Sequence, residues 1–483
     1  MCGIVGKVYT ARERQVEEAL LRSMCAAIRH RGPDDEGVYR AGSVGLGMRR
    51  LKVIDLEGGH QPMGNEEGWL WLVFNGEIYN YRQLRQELEA QGHVFRTHSD
   101  TETILHLYEQ DGPAGVARLR GMFAFALWDQ RRQTLMLARD RLGKKPLFYA
   151  QHPEGLTFAS ELKALLHDPA VDRSIDRQAI DEYLSFLFIP QPRTIYQQVR
   201  KLPPATYALY RGGQLAMHTY WTVRYEPARA AQIEESADHL DHLLREAVAL
   251  RMLSDVPVGA FLSGGLDSSL VVALMQQVSG SQVRTFSIGF RESSFSELDQ
   301  ARQVAAALGT QHQEYVVDYE VRDLLPKLLD HFGEPFADSS AIPTYHLSRM
   351  TREQVTVALS GDGGDEVFGG YRRYLARGWA ERFNRWPAWM GRGAVEGLGR
   401  HLREPATYYG RSRRKKLKRF LEFAAAVREA PQTSWGFFLP KRKKSACTGK
   451  ILPIITLQTR AVLRPSSPRP RTVLQVRKCS GWI

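Results

Sequence analysis

Cysteine is scarce in this chain, acidic residues are missing from one end, and long apolar runs do not occur. Four cysteines in 483 residues, at positions 2, 25, 447 and 479, are too few for a disulfide framework. A reducing cytoplasm is their natural setting. No apolar stretch reaches the roughly 18 residues of a transmembrane helix, so no membrane partner is expected. Met1-Cys2-Gly3-Ile4-Val5-Gly6 has no basic segment ahead of an apolar one, so no secretory signal is expected. No internal repeat is visible, and no G-x-x-x-x-G-K-S/T phosphate loop is present.

Asp and Glu are absent from residues 441–483, which carry eleven Lys and Arg. The whole chain has 66 basic and 53 acidic groups, a net charge of +13. The other 440 residues therefore hold 55 basic and 53 acidic groups, a net of +2. Taken alone, +13 would point to a polyanionic partner. Located in the tail, it describes one segment only. With 43% hydrophobic and 25% charged residues, the body has the composition of a folded globular protein, and its length predicts two to four domains.

The first 200 residues read as strands with short helices. Val16, Leu20, Met24 and Ile28 recur at helical spacing. Trp69–Phe74 reads as a strand ending at Asn75-Gly76, a dipeptide that by itself fits a hairpin turn. Leu84 and Leu88 mark a short helix. Met122–Trp128 is short and continuously apolar, as in a strand buried on both faces. Thr134–Ala138 and Leu147–Tyr149 read as further strands, and stacked sheets are expected. From Ile233 strands and helices alternate, the signature of a parallel sheet covered on both faces. Gly309 is expected to end the helix at 297–308. These changes divide the chain into a first domain at 2–205, a linker at 206–232, a second domain at 233–436 and a basic tail at 437–483.

Cys2 directly follows the initiator Met. Removal of Met1 would leave one residue with both a thiol and a free α-amine. The thiol, with an ordinary pKa of about 8.5, is only a few per cent ionised at neutral pH. An amine titrating near about 8 can act as its base. Other blocks accompany it: Arg31-Gly32-Pro33-Asp34, Arg50-Leu51, Asn75-Gly76-Glu77-Ile78-Tyr79-Asn80, Ser99-Asp100-Thr101-Glu102 and Arg139–Leu147. Together they resemble the class II glutamine amidotransferase domain, an N-terminal-nucleophile hydrolase. The resemblance implies an α+β fold of stacked antiparallel sheets with helices, and Cys2 as nucleophile. Asn75 and Gly76 suit an oxyanion site, one as a side-chain amide and one as a backbone N–H. Glutamine itself would be held by Arg50 on its carboxylate and Asp100 on its ammonium, with Asn75, Gly76 and Glu77 beside them. Arg50 and Asp100, taken singly, would pass for a surface ion pair.

A second set of residues lies in the alternating half. Ser263-Gly264-Gly265-Leu266-Asp267-Ser268-Ser269 stands between an apolar strand and a helix. Glycines allow close approach of an anion, and the helix N-terminus supplies N–H donors. Ser287-Ile288-Gly289-Phe290 and Ser360-Gly361-Asp362-Gly363-Gly364-Asp365 each end later strands, where ligands bind in open α/β sheets. With Glu334–Asp338 these blocks resemble the synthetase half of glutamine-hydrolysing asparagine synthetases, an α/β parallel-sheet ATP-pyrophosphatase domain. The resemblance implies ATP bound by Leu262, Ser263, Gly264, Gly265, Asp267, Ser268, Ile288, Ser360 and Gly361, with Mg2+ on Asp267 and Asp365. It places Asp362 where many family members carry Glu, at a catalytic position for aspartyl-adenylate formation.

The implied reaction joins the halves. Glutamine is hydrolysed at Cys2, ATP adenylates aspartate, and ammonia displaces AMP to give asparagine, glutamate, AMP and pyrophosphate. An amidotransferase acting on another carboxylate is the alternative within enzymes. A basic nucleic-acid-binding protein, resting on Arg411–Arg419 and the tail, is the alternative outside them; no nucleic-acid reader motif supports it. A homodimer is left open. From about Phe437 the family pattern is lost, together with the R-x-P-F-L-D segment and the lysine that the family carries further on. The expectation is an out-of-frame tail with intact glutamine hydrolysis and impaired amide formation.

Overall fold

In the computed structural model, the residues described are 1–224, 233–290, 296–317 and 321–386, with a few isolated positions up to 424. The basic run at 411–419, apart from Leu417 and Lys418, and the tail from 425 onward lie outside them.

The N-terminal part contains β1 (Gly3–Tyr9), β2 (Asp35–Ala41), β3 (Val44–Arg50), β4 (Met63–Gly64), β5 (Leu70–Ile78), β6 (Gly121–Asp129), β7 (Thr134–Arg139), β8 (Phe148–His152), β9 (Gly155–Ala159), β10 (Val199–Lys201), β11 (Thr206–Arg211) and β12 (Gln214–Thr219). They form two six-stranded sheets, ordered β10-β8-β9-β1-β3-β2 and β12-β11-β7-β6-β5-β4. All pairings in both are antiparallel. Five helices accompany them: α1 (Glu18–Ala27), α2 (Tyr81–Glu89), α3 (Asp100–Asp111), α4 (Leu162–Leu165) and α5 (Arg177–Phe186).

Strand alternation builds the layers. On β6, Phe123, Phe125 and Leu127 face α2 and α3, where they meet Leu84, Leu88 and Leu105. Ala124, Ala126 and Trp128 face the other sheet, against Ile4, Val8, Leu46 and Met48. The outer face of the first sheet buries Val5 and Ala159 under Met24 and Ile28 from the α1 side and Leu162 of α4. The result is helix, sheet, sheet, helix, as the resemblance implies. Both faces of β6 are buried because each sheet is covered twice, which explains its unbroken apolar run.

Two sequence expectations are corrected. Asn75-Gly76 is not a turn: β5 runs on to Ile78, pairing Asn75 with Ala124 and Gly76 with Phe123. A Cβ on Gly76 would lie 2.2 Å from the Met122 carbonyl oxygen, so glycine is needed for close strand approach rather than for chain reversal. Residues 206–219 are not linker. β11 pairs with β7 and with β12. Gly212 and Gly213 form the tight connection between them, both with positive φ.

One polar group is built into this core. Lys7, 2% exposed, lies on β1 with its Nζ 2.8 Å from the Asp168 carboxylate, which is fully buried. Thr157 Oγ1 and the Ala170 N–H also donate to Asp168. Asp168→Ala would leave the buried Lys7 ammonium with only the Tyr9 ring and Glu154 at 3.9 Å, and is expected to cost about 3 kcal/mol. Replacing both partners by apolar residues of similar volume should cost much less. Denaturant unfolding of the two variants measures the difference.

The C-terminal part contains β13 (Val258–Phe261), β14 (Arg284–Phe290), β15 (Gln311–Val317) and β16 (Val357–Leu359), with α6 (Ile233–Arg251), α7 (Leu266–Val278), α8 (Leu298–Leu308), α9 (Val321–Phe332), α10 (Ala341–Thr351), α11 (Gly364–Phe368) and α12 (Arg372–Arg385). The sheet is wholly parallel, in the order β15-β14-β13-β16. Gly309 caps α8 with φ 67°, as expected. The sheet's core is modest: Ala260 and Leu262 pack on Val272, Met275, Val248 and Ala301. Among the described residues no helix is long and apolar enough to cross a membrane.

The two parts touch. The Asp255 N–H donates to the Val53 carbonyl (3.0 Å), and the Asp55 N–H donates to the Asp255 carboxylate (2.7 Å). Lys201 pairs with Glu334 at 2.6 Å, and Arg251 lies over the Tyr79 ring.

Candidate active sites

Pleat parity brings the first site together. Ile4 and Val8 of β1, Val44, Leu46 and Met48 of β3, and Val73 of β5 face the space between the sheets. Counting by twos from each strand, Cys2, Arg50, Asn75 and Glu77 fall on that same face at one end. A small pocket opens there, lined by Cys2, Arg50, Gly76, Glu77, Asp100 and Thr101 among others.

The Cys2 sulfur lies 3.4 Å from the Leu51 nitrogen and 3.6 Å from the Leu51 carbonyl oxygen. Arg31 Nε donates to the Cys2 carbonyl at 2.8 Å, and its Nη1 pairs with Glu161 at 2.9 Å. Asn75 is fully buried, yet neither its Nδ2 nor its Oδ1 has a hydrogen-bond partner. Leaving a buried amide unpaired costs about 1–3 kcal/mol. Such a group needs an explanation, and an absent ligand is one. Arg50 spends Nη2 on the carbonyls of Ile54 and Asp55, at 2.9 and 2.7 Å, and keeps Nη1 buried without a partner. Arg50 lines the pocket, and Asn75 lies between Phe74 and Gly76, which also line it.

Asp100 is the first residue of α3, whose Ser99 cap accepts the Thr101 N–H. One Asp100 oxygen accepts the Ile78 N–H at 2.9 Å. Burial raises its carboxyl to about 6. Burial, and then the neighbouring Asp100, holds Glu77 well above the usual carboxylate range. Two adjacent buried carboxyls suit a cationic ligand group, which would draw both back toward ionisation.

The thiol and the chain terminus shift in opposite directions. Desolvation pushes the half-buried Cys2 thiol up. It pulls the Met1 α-amine down to about 5. At neutral pH the thiol therefore keeps its proton. Met1 itself is 59% exposed, and its amine is not the one that would serve Cys2, whose own α-amine becomes free only when Met1 is removed. Lys145, lowered to about 8 by burial and then by Arg31, places Nζ 3.1 Å from the Met1 sulfur. Its loop is tied down by Asp140, which accepts the N–H groups of Phe123, Leu142, Lys144 and Lys145. Arg31 and Lys145 lie in the motifs noted above but received no role from the sequence. Their contacts, with the Cys2 carbonyl and Glu161 for Arg31 and with the Met1 sulfur for Lys145, join distant parts of the chain, which no spacing reveals.

The second group of residues meets where the parallel sheet changes direction. β13 is followed outward by β14 and β15 on one side, while β16 adds on the other. The crevice between the loops after β13 and β16 is the switch point, where such sheets bind ligands. The loops touch there. A Cβ on Gly361 would lie 2.6 Å from the Ser268 nitrogen, and one on Gly364 would lie 2.5 Å from the Asp267 carboxylate. Gly264, at φ +77°, approaches the Gln300–Ala301 backbone within 2.7 Å of a notional Cβ. Ser263 Oγ and Ser268 Oγ are 2.9 Å apart, and the Gly265 N–H donates to Ser263 Oγ (3.2 Å). Leu262 is buried, with its N–H donating to the Phe286 carbonyl. Ile288 stays within β14, opposite Tyr315 of β15, one strand removed. The exposed Asp362 accepts the Ser360 hydroxyl at 3.0 Å. Asp267 and Asp365 make no side-chain hydrogen bond or ion pair among the described residues, and both are half-buried. Two free carboxylates beside a helix N-terminus and a glycine-lined crevice fit a hard cation bridging to phosphate oxygens.

Two family models match the chain. A glutamine amidotransferase domain covers residues 1–221, and asparagine synthase covers residues 239–473, past the boundary drawn at 436 from the sequence. Asparagine synthetase [glutamine-hydrolyzing] 1 of Bacillus subtilis is 41% identical over 378 residues, covering 77% of this chain and 59% of that protein. A Methanocaldococcus jannaschii protein that bears the name of a second such synthetase is 40% identical over 403 residues, covering 78% of this chain and 76% of its own length. A third, Bacillus subtilis synthetase 3, is 34% identical over 398 residues and is covered to 63%. The chain thus spans about three-fifths of the length of the two Bacillus proteins and three-quarters of the Methanocaldococcus one. With both domain types in order and this identity along most of its sequence, the chain belongs to the family of glutamine-hydrolysing asparagine synthetases.

Proposed function

We propose that the chain hydrolyses glutamine at Cys2 and uses the released ammonia to amidate aspartate at the switch-point crevice of its second half. The observation that carries the first step is the fully buried, unpaired Asn75 amide, on the same sheet face as Cys2 and next in the chain to Gly76 of the pocket lining. Glutamine's side-chain carbonyl supplies the missing partner, and Asn75 Nδ2 then stabilises the oxyanion formed when the thiolate attacks. With Met1 removed, the α-amine of Cys2 takes the thiol proton and later returns it to the departing ammonia. Arg50 Nη1 receives the substrate carboxylate, and Asp100 with Glu77 its ammonium.

In the second half, the loop at 263–268 offers backbone N–H groups to the phosphates of ATP, with Ile288 and its strand beside the adenine. Asp267 and Asp365 are the residues that would hold Mg2+, which when bound neutralises charge on the pyrophosphate oxygens. Asp362 stands at the mouth of the same crevice, toward the aspartyl group. The test is a paired assay on the full chain. Glutamate, asparagine and pyrophosphate are measured with glutamine, ATP and aspartate present, and then with other carboxylates replacing aspartate. Asparagine and pyrophosphate formed in equal amounts support the acceptor reading, with both falling well below glutamate if amide formation is impaired as expected and all three equal if it is not; an amide formed only on another acceptor replaces the second half of the proposal.

One consequence concerns pH. An Asp100 carboxyl near 6 must be ionised to hold an ammonium. KM for glutamine should therefore rise as pH falls through about 6 and stay level above 7. Asp100→Asn should show a higher KM that no longer rises with the parent's step near pH 6, any remaining pH dependence being that of Glu77. Initial-rate glutaminase profiles between pH 5 and 8 read both curves.

A further inference from the structure

The far end of α3 carries a cluster that neither reaction uses. His93, in the segment between α2 and α3, directs Nδ1 to within 3.2 Å of His106 Nδ1. His106 Nδ1 is 2.9 Å from Glu109 Oε2, and His93 Nδ1 is 3.5 Å from that same oxygen. Three donor atoms thus form a triangle with edges of 3.2, 2.9 and 3.5 Å. Tetrahedral Zn2+, with metal–ligand distances of about 2.0–2.1 Å, sets its donors about 3.3 Å apart.

The surroundings decide which nitrogens carry protons. His93 Nε2 lies 3.3 Å from the Gln110 side-chain oxygen, so it is the N–H of that ring. His106 is 1% exposed, and its Nε2 has no hydrogen-bond partner. That nitrogen faces two carboxylates, Glu66 at 3.5 Å and Glu102 at 3.6 Å, so a proton there is favoured. The two Nδ1 atoms and the Glu109 oxygen face one another. A proton on His106 Nδ1 can bridge them, and a metal ion binding there would displace that proton. Glu109 is itself oriented, accepting from Asn65 Nδ2 through its other oxygen at 2.6 Å. Imidazoles backed by oxygen acceptors and a carboxylate backed by an amide are what metal ligands require from their neighbours. His93 and Glu109 are each 16% exposed, which leaves an approach for the ion and for a water as fourth ligand.

We infer that His93, His106 and Glu109 form a binding site for a divalent transition metal, Zn2+ by donor set and geometry. It lies on the helix whose first residue, Asp100, reaches the glutamine pocket, about one and a half to two and a half turns further along. His106 and Glu109 stand one helical turn apart, which makes the pair rigid; His93 closes the set from the adjoining segment.

The experiment uses the full chain, stripped with chelator and titrated first with Zn2+ and then with Co2+ as a spectroscopic probe. One equivalent of Zn2+ should bind, and Co2+ should give the intense visible bands of a tetrahedral nitrogen–oxygen site. His93→Gln and Glu109→Gln, checked for unchanged circular dichroism, should each weaken binding at least about tenfold. Two variants at partly exposed positions guard against loss of fold in one of them. Binding unchanged in both, no binding by the parent chain, or a cobalt–thiolate charge-transfer band placing the ion on a cysteine would each overturn the assignment.

Discussion

Cys2→Ala should abolish glutamine hydrolysis, lowering glutamate release by on the order of 10⁴ or more, as for loss of the nucleophile in other covalent enzymes. No neighbour can substitute. The pocket is lined by Arg50, Glu77, Asp100 and Thr101, and both carboxyls are drawn toward the neutral form by burial. Folding should be unaffected, since the sulfur makes only long contacts to Leu51. Any pyrophosphate release that the parent chain shows with external ammonium should persist, because the nucleotide crevice lies on another sheet. Glutamate release and ammonium-driven pyrophosphate release, measured on one preparation, separate the two halves. Residual glutaminase within tenfold of the parent would remove Cys2 from the proposed chemistry.

The second large effect is expected at Asp267. The Asn replacement is isosteric and breaks no hydrogen bond or ion pair among the described residues, so the melting temperature should hold. ATP-dependent pyrophosphate release should fall by about 10²–10³, since a metal clamp contributes several kcal/mol to charge stabilisation. The Mg2+ concentration for half-maximal rate should rise as well. Glutamine hydrolysis serves as the internal control. An unchanged Mg2+ dependence would move the metal away from this carboxylate. Leu266, 83% exposed, and Val367, 76% exposed, flank the crevice, so its rim is unusually apolar. Such surface favours association in solution, and both assays are best run across a range of protein concentrations.

Much of this architecture was legible from local signals. Val16, Leu20, Met24 and Ile28 marked α1 and its surroundings, and Met122–Trp128 was a strand buried on both faces. Alternation after Ile233 indicated a parallel sheet, and Gly309 ended α8. The errors share one cause. Asn75-Gly76 has the composition of a turn, but β6 pairs with it on one side and holds it extended. Residues 206–219 contain two glycines and look like a linker, but they form a hairpin, β11 and β12, that joins the sheet through the pairing of β11 with β7. Both outcomes depend on partners that lie more than 45 and 65 residues away in sequence, and local propensity carries no information about them.

The scarcity of cysteine, the acid-free tail, the N-terminal thiol and the glycine-rich loops are properties of the sequence by itself, because each rests on residue chemistry or short-range geometry. Those features are the basis on which two centres and their reactions are proposed. Only the tertiary structure decided that Cys2, Arg50, Asn75 and Glu77 share one face, that Asn75 is buried without a partner, and that His93 meets His106 and Glu109. The reason is physical. Pleat parity becomes a shared cleft only when sheets stack, and a side chain's lack of partners is defined only once every neighbour is in place.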